Sequence, residues 1–268
     1  MGRERGVSAG SIALQVFTGL VLVFLALPNL IVVPISFNPT TIIEFPPRGF
    51  TLHWYKRYLE LPGWVDATYT SFLTGLLTAV VAVTLGTLGA YGLTRGTFAG
   101  KRIVKSCILM PLIVPSLVLA IALYKLLIQI GLVGTITGFV IAHSVLAIPF
   151  VITVMTAAFR GVDPAIENAA RSLGAGRIVT LWRVTLPLVM PGLLSASLLA
   201  FLVSFDELII ALFLSDPFVS TLPKKLWDGI RLEVDPTLAA VSTILIGISL
   251  AILVLIASLR RRLERKLA

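Results

Sequence analysis

The sequence predicts an all-α membrane protein with six transmembrane helices. Of its 268 residues, 57% are hydrophobic and only 13% are charged, whereas a soluble domain keeps about a quarter of its residues charged. The mean hydropathy is +0.99. The apolar residues lie in long blocks, each able to cross a hydrocarbon layer of about 30 Å at about 1.5 Å per helical residue. The composition excludes a soluble globular protein.

Six such blocks follow one another along the chain. They cover residues 11–37, 65–93, 103–130, 132–159, 189–214 and 237–259. The first is too long for the apolar core of a signal peptide, and no small-residue cleavage site closes it. Pro111 and Pro115 are expected to kink the third block, because each removes a backbone donor and clashes with the preceding turn. We therefore expect one transmembrane domain over residues 1–268.

Lysine and arginine set the expected orientation. If the N-terminus is cytoplasmic, fifteen of the 22 basic residues fall on the cytoplasmic side and six on the outer side. This asymmetry predicts that both termini are cytoplasmic. It also explains the net charge of +9 without nucleic acid, because no basic stretch is interleaved with aromatic residues. The single cysteine, Cys107, excludes an internal disulfide and a cysteine-based metal site, and we expect it to be a small buried residue.

The loop over residues 160–188 is longer than a connection between adjacent helices needs, which is about two to eight residues. Asp163 and Pro164 suit the N-cap and first position of a short helix, and Gly174 suits its C-cap. Its apolar residues share one face: Ile166, Ala169, Ala170 and Leu173. A second short helix is expected over residues 177–186. The pair either lies on the lipid surface or docks into a groove of a soluble partner.

The same loop carries a resemblance to a known family. Residues 167–175, Glu-Asn-Ala-Ala-Arg-Ser-Leu-Gly-Ala, followed by Leu186 and Pro187, resemble the EAA loop in permease subunits of binding-protein-dependent ABC importers. The resemblance implies a type I (MetI-like) fold, with coupling helices that sit in a cleft of an ATPase subunit. The implied contact residues are Glu167, Asn168, Ala169, Ala170, Arg171, Leu173, Gly174 and Ala175. Asn168 stands where the family has its motif glutamate, so the resemblance implies helix docking there rather than a particular salt bridge.

Three further stretches resemble the polyamine (spermidine/putrescine) branch of that family. They are residues 204–207, 222–231 and 235–243. That branch also contains importers of opines and other small amines. Amino acid derivatives, phosphonates and iron are alternative solutes of such importers, so the solute stays open.

Asp206 and Glu207 are the only acidic residues deep within a predicted span. An ionised side chain at that depth costs at least about 2.5–3.5 kcal/mol, so it usually faces the bundle interior or an aqueous path. On a continuous helix, adjacent side chains diverge by about 100°. Asp206 is therefore expected to face the translocation path, and Glu207 a neighbouring helix or a second permease. The alternative is that both only fix helix packing.

With Ser204 and Phe205, these two residues form the predicted substrate pathway, where a carboxylate would suit a cationic solute. His143 in the fourth block is expected either to bond a neighbouring helix or to take part in a proton relay.

No sequence motif indicates an enzyme. The chain has no glycine-rich phosphate loop with a Lys-Ser or Lys-Thr pair, so it is expected neither to hydrolyse ATP nor to bind a cofactor or metal directly. The resemblance implies a second, different permease chain, two ATPase subunits that bind ATP and Mg, and an external solute-binding protein, all at a bacterial inner membrane. The competing classes are an ion-coupled secondary transporter, which needs discontinuous helices around a midplane ion site, and a non-transporting membrane scaffold.

Overall fold

The computed structural model describes residues 9–232 and 235–267, and all regular structure in these residues is helical. In chain order the helices are α1 (Ala9–Ile35), α2 (His53–Glu60), α3 (Trp64–Arg95), α4 (Lys101–Leu109), α5 (Ser116–Gln129), α6 (Ile136–Arg160), α7 (Pro164–Ser172), α8 (Arg177–Thr180), α9 (Leu186–Leu188), α10 (Met190–Phe205), α11 (Ile209–Leu214), α12 (Leu222–Leu232) and α13 (Thr237–Leu267). A 3-10 turn, Met110–Leu112, follows α4, and a π turn, Leu181–Thr185, joins α8 to α9. The predicted all-α class is confirmed. Arg3 and Arg5, two of the fifteen basic residues expected on the cytoplasmic side, lie outside the described residues.

Four single helices and two bent pairs supply up to six spans in the part of the chain that the structure describes. Helices α1, α3, α6 and α13 are each long and apolar enough to cross a membrane. The segment Lys101–Leu112 is bent by 99° against α5, which continues the same predicted span, whereas Arg177–Leu188 lies in the predicted loop before the fifth span and is bent by 78° against α10. The kink expected at Pro111 and Pro115 is therefore confirmed. Cys107 is exposed, and the prediction of a buried cysteine is wrong, because α4 lies before this bend and buries none of its side chains.

The described residues form two compact units. The first contains the chain up to Leu61 together with Gly229–Gly247, and the second contains Pro62–Asp228 together with the chain from Ile248 onward.

Hydrogen bonds and an ion pair hold the first unit together. The indole Nε1 of Trp54, in α2, donates to the carbonyl oxygen of Asn38 over 2.7 Å. Arg57 of the same helix forms an ion pair of 3.1 Å with Asp235, whose carboxylate also accepts the first backbone N–H of α13. Helix α2 is thus tied both to the chain that follows α1 and to the start of the last span.

In the second unit, α3, α6 and α10 pack against one another. Small residues allow close approach where lipid supplies no hydrophobic drive between helices: Gly86 of α3 faces Val151 of α6, and Gly75 faces Phe201 of α10. A separate apolar cluster joins α5, α6 and α11. Its buried members are Ala120, Leu123, Leu127, Phe139, Ala142, Ile210, Ala211 and Leu214. This packing holds the broken third and fifth spans beside the intact fourth span.

Candidate functional site

The loop between α6 and α10 contains the first group of predicted site residues. Asp163 caps α7, because its Oδ1 accepts the backbone N–H of Ala165 over 2.8 Å. At the other end Gly174 has φ +88°, a conformation that glycine adopts without the strain other residues incur. The N–H of Ala175 bonds the carbonyl of Ala170, and that of Gly174 bonds the carbonyl of Arg171, which closes α7 as a Schellman motif. Both predicted caps are confirmed, and they fix α7 as a short, rigid helix.

Glu167 lies on the inner side of α7, with only 2% of its surface exposed. Its Oε1 accepts a hydrogen bond from Nε of Arg95 at the end of α3 (3.0 Å) and another from Oγ1 of Thr185 in the π turn (3.1 Å). Arg95 also donates to the carbonyl oxygen of Val162 over 2.9 Å. Arg171 approaches the other carboxylate oxygen at 3.5 Å. The carboxylate therefore joins α3, α7 and the π turn.

The remaining predicted contact residues of this loop lie at its surface. Leu173 is 90% exposed, and the face that it shares with Ile166 is uncovered. Two more exposed apolar residues follow, Ile178 in α8 and Trp182 in the π turn. Asn168, Ala169, Arg171 and Gly174 are exposed, and Ala170 and Ala175 are half-buried. The structure thus separates the inward Glu167 from an outward apolar surface of α7 and the helix that follows it.

Asp206 and Glu207 lie where the fifth span is interrupted. Helix α10 ends at Phe205, and α11 begins only at Ile209. The continuous helix assumed from the sequence is therefore wrong, and so is the divergence of about 100° deduced from it. Glu207 was expected to bond a neighbouring helix or a second permease. Within its own chain its Oε1 accepts the backbone N–H of Ile210 over 3.0 Å, so it caps α11, and its contact with a second permease stays a prediction.

Both carboxylates line one cavity of about 580 Å³. The break in the third span also lines the cavity, through residues between Pro111 and Ser116, and Leu146 and Phe150 of α6 contribute to its lining. Asp206 is exposed, and its carboxylate accepts no hydrogen bond from the described residues. The cavity therefore combines an apolar wall with one free carboxylate and one capping carboxylate. It lies between two broken spans.

Ser204 and Phe205 are buried and are not among the residues that line this cavity. Ser204 Oγ is 2.8 Å from Nδ1 of His143 in α6, so the expectation that His143 bonds a neighbouring helix is confirmed. The ring of Phe205 stacks on Phe201 with 5.2 Å between the ring centroids. Both residues hold the end of α10 in place beside the cavity.

Sequence reasoning missed Arg95, Thr185 and the wall of the cavity formed by the third span. In the sequence, nothing distinguishes Arg95 from the other basic residues near the ends of predicted spans. Its partner Glu167 is 72 residues away, and no local pattern links the two. The prolines at 111 and 115 did signal a break, but nothing in the sequence indicated that it would face Asp206.

Comparison with known proteins gives four findings. The family model described as "Binding-protein-dependent transport system inner membrane component" matches residues 82–268. The chain is 29% identical to the spermidine/putrescine transport system permease protein PotC of Haemophilus influenzae, over 89% of this chain and 93% of that protein. It is 32% identical to the putrescine transport system permease protein PotI of Escherichia coli, over 84% of this chain and 82% of that protein. A chain of a bacterial ABC transporter involved in the import of alginate has the same fold, with a TM-score of 0.70, 18% identity, and coverage of 98% and 99% of the two chains.

Proposed function

Because the chain belongs to the family of binding-protein-dependent transport system inner membrane components and is a permease of an ABC importer, we propose that it forms half of a translocation path for small cationic amines of the polyamine class. The chain is a multi-pass protein of the inner membrane. The observation that carries the proposed solute class is the cavity beside the interrupted fifth span, into which Asp206 and Glu207 both face.

The electrostatics of that cavity favour a cation. The C-terminal end of α10, at Phe205, carries the negative end of a helix dipole, and Asp206 follows it directly. The positive end of α11 is capped by Glu207, which leaves Asp206 without a partner in the described residues. A cationic amine that sheds water on entering the membrane needs compensating charge of this kind. An anionic solute would meet two carboxylates and a helix C-terminus.

The relatives support the same solute class. The names of PotC and PotI refer to spermidine and putrescine, and both proteins match this chain over more than four fifths of its length. Diamines and polyamines are extended cations with apolar methylene segments. A cavity lined by apolar side chains and two carboxylates suits such a molecule.

Energy for transport would come from two ATPase subunits that bind ATP and Mg. Their docking surface would be the exposed apolar face around Leu173, together with Ile178 of α8 and Trp182 of the π turn. With both termini cytoplasmic, as the distribution of basic residues predicts, this surface lies on the side where ATP is available. A second, different permease chain would enclose the other half of the path, and an external solute-binding protein would deliver the amine to the outer segments. Rocking of the two permeases between two states would then give alternating access.

The test is uptake of radiolabelled putrescine into proteoliposomes that contain the whole importer, with the binding protein outside and ATP on the ATPase side. We expect putrescine uptake to require both ATP and the binding protein. We also expect unlabelled spermidine to compete with it. A non-hydrolysable ATP analogue is the control for energy coupling. ATP-driven uptake of an opine, an amino acid derivative, a phosphonate or iron, with no uptake of any polyamine, would overturn the proposed solute class. Putrescine uptake driven by an ion gradient without ATP would overturn the proposed energy source.

A further inference from the structure

A second cavity, also of about 580 Å³, lies at the end of the second and fourth spans. Its walls come from the last turn of α3, the start of α4, the end of α6 and the first residue of α7. Five cationic side chains line it: Arg95, Lys101, Arg102, Lys105 and Arg160. No acidic residue is among its lining residues in the described chain. The cavity has no part in the proposed solute path.

The positive charge of this cavity is only partly compensated by the protein. Arg95 is paired with Glu167, and Lys101 donates from Nζ to the carbonyl oxygen of Gly96 over 2.9 Å. Arg102, Lys105 and Arg160 form no ion pair with the described residues. Like charges that line one cavity repel each other, and an anion bound among them would relieve this repulsion. Guanidinium groups favour phosphate in particular, because their planar N–H donors match its oxygens in pairs.

The cationic wall is also part of a helix suited to a membrane surface. Helix α4 is bent by 99° against the α5 half of its span, so it runs across the direction of that span. Its sequence alternates cations with apolar residues, and Ile103 is 69% exposed with Val104 exposed beside it. An amphipathic helix of this kind lies in the interface, with its apolar side chains against lipid and its cations at headgroup level. The cavity therefore opens next to a surface that suits acyl chains.

We propose that this cavity binds the phosphate group of an anionic phospholipid, with Arg102, Lys105 and Arg160 as its principal partners. Basic pockets between transmembrane helices are a recognised physical basis for binding such headgroups. A free phosphate ion would satisfy the same cations, but it would leave the exposed apolar residues of α4 without a partner. The lipid satisfies both features of the site at once.

The lipid would also act on α7. Arg95 lines the cavity and at the same time holds Glu167, and Pro164, the first residue of α7, forms part of the wall. A bound headgroup would therefore fix the position of α7 relative to the second and fourth spans. This consequence rests on the proposed role of α7 in ATPase docking, whereas binding of the lipid itself does not.

The test is native mass spectrometry of the purified importer complex in detergent, titrated with phosphatidylglycerol and, separately, with phosphatidylcholine. We expect the complex to retain phosphatidylglycerol in preference to phosphatidylcholine. The double variant Lys105→Gln/Arg160→Gln should weaken that binding about 30-fold, because it removes two juxtamembrane cations and each of them attracts an anionic lipid. The matched control is Arg177→Gln/Arg183→Gln, which removes two exposed basic residues, one from α8 and one from the π turn, and should leave binding within about twofold of the parent.

Three outcomes would overturn the proposal. Equal losses in both double variants would mean that diffuse positive charge, and not this cavity, attracts the lipid. Equal retention of the two lipids by the parent complex would mean that the site does not discriminate between lipids by headgroup charge. Saturation by inorganic phosphate alone, lost in Lys105→Gln/Arg160→Gln, would assign the cavity to a soluble anion. Elution of both variants as intact complexes in gel filtration is the check on folding, and none of these measurements depends on transport.

Discussion

Arg95 and Glu167 are 72 residues apart in sequence, yet Nε of the arginine donates to Oε1 of the glutamate over 3.0 Å. The pair joins the end of the second span to the helix proposed to dock on the ATPase. Because Thr185 donates to the same carboxylate oxygen, both halves of the loop between the fourth and fifth spans are held at one point. A displacement of α7 would therefore move the end of α3 with it.

Replacement of Glu167 by alanine should release this loop. The change leaves Arg95 close to buried backbone without its counter-charge, and breaking a buried ion pair of this kind destabilises a protein by roughly 3 kcal/mol. The measurement is thermal unfolding of the purified complex, combined with stimulation of ATP hydrolysis by the loaded binding protein. We expect a lower Tm and a loss of stimulation.

Arg171→Gln is the matched control, because Arg171 contacts the same carboxylate at 3.5 Å but its side chain is 38% exposed. Its loss should change stability by less than about 1 kcal/mol. If Arg171→Gln lowers the Tm as much as Glu167→Ala, the buried pair with Arg95 is not what holds the loop.

The exposed apolar face of α7 should be needed for attachment of the ATPase. Leu173→Asp places a charge where we propose that a leucine side chain enters the partner's cleft, and burial of a leucine contributes about 1.5–3 kcal/mol. We expect the ATPase to be lost when the complex is purified through a tag on the permease, while the permease itself stays folded.

Phe218→Asp is the control for that experiment, since Phe218 is equally exposed at 90% but lies between α11 and α12, on the predicted outer side. It should retain the ATPase. Retention of the ATPase by Leu173→Asp would remove this face from the docking surface.

Local signals explain why α7 could be predicted from sequence and its inner contact could not. Asp163 and Gly174 specify the two ends of α7 through bonds to residues within a few positions of each, and such bonds are readable in a single sequence. The ion pair between Arg95 and Glu167 depends on how α3 meets α7 in three dimensions. The six spans were predictable for the same reason as the caps, because hydropathy is a property of contiguous residues.

The interruption at Asp206 was missed because no proline or glycine stands at positions 206–208. Those residues usually mark a break, and the apolar residues on both sides continued the pattern of one helix. The break changes the interpretation of the acidic pair, since both carboxylates reach one cavity. Because the described chain has discontinuous spans, this feature does not distinguish it from an ion-coupled secondary transporter. The family match makes that distinction.

Asp206 and Glu207 should respond differently to loss of charge. Asp206→Asn removes the carboxylate that has no hydrogen-bond partner among the described residues. We expect putrescine uptake by the reconstituted importer to fall about tenfold or more, in line with about 1.4 kcal/mol or more of lost stabilisation. Gel filtration of the variant should show an intact complex.

Glu207→Gln keeps the oxygen that accepts the N–H of Ile210, so α11 stays capped and the loss of uptake should be smaller. Glu207→Ala removes the cap and should also lower the Tm by an amount that corresponds to about 1 kcal/mol. Normal putrescine uptake by Asp206→Asn would exclude this carboxylate from the solute path.

Close contact between α3 and α6 should make Gly86 intolerant of a side chain. A Cβ atom built on Gly86 lies 2.6 Å from Cγ1 and 2.8 Å from Cβ of Val151, and the β-branched valine has little rotameric freedom to move away. Gly86→Ala must therefore push the two helices apart, and overpacking of this kind destabilises by about 1–3 kcal/mol.

Gly92→Ala is the matched control on the same helix, because a Cβ there meets nothing within 4 Å. Thermal unfolding of the purified complex should show a lower Tm for Gly86→Ala and an unchanged or higher Tm for Gly92→Ala, since alanine favours a helix over glycine. If the double variant Gly86→Ala/Val151→Ala recovers the parent Tm, the clash with Val151 is the cause. A Tm for Gly86→Ala equal to that of Gly92→Ala would mean that these two spans do not meet at Gly86.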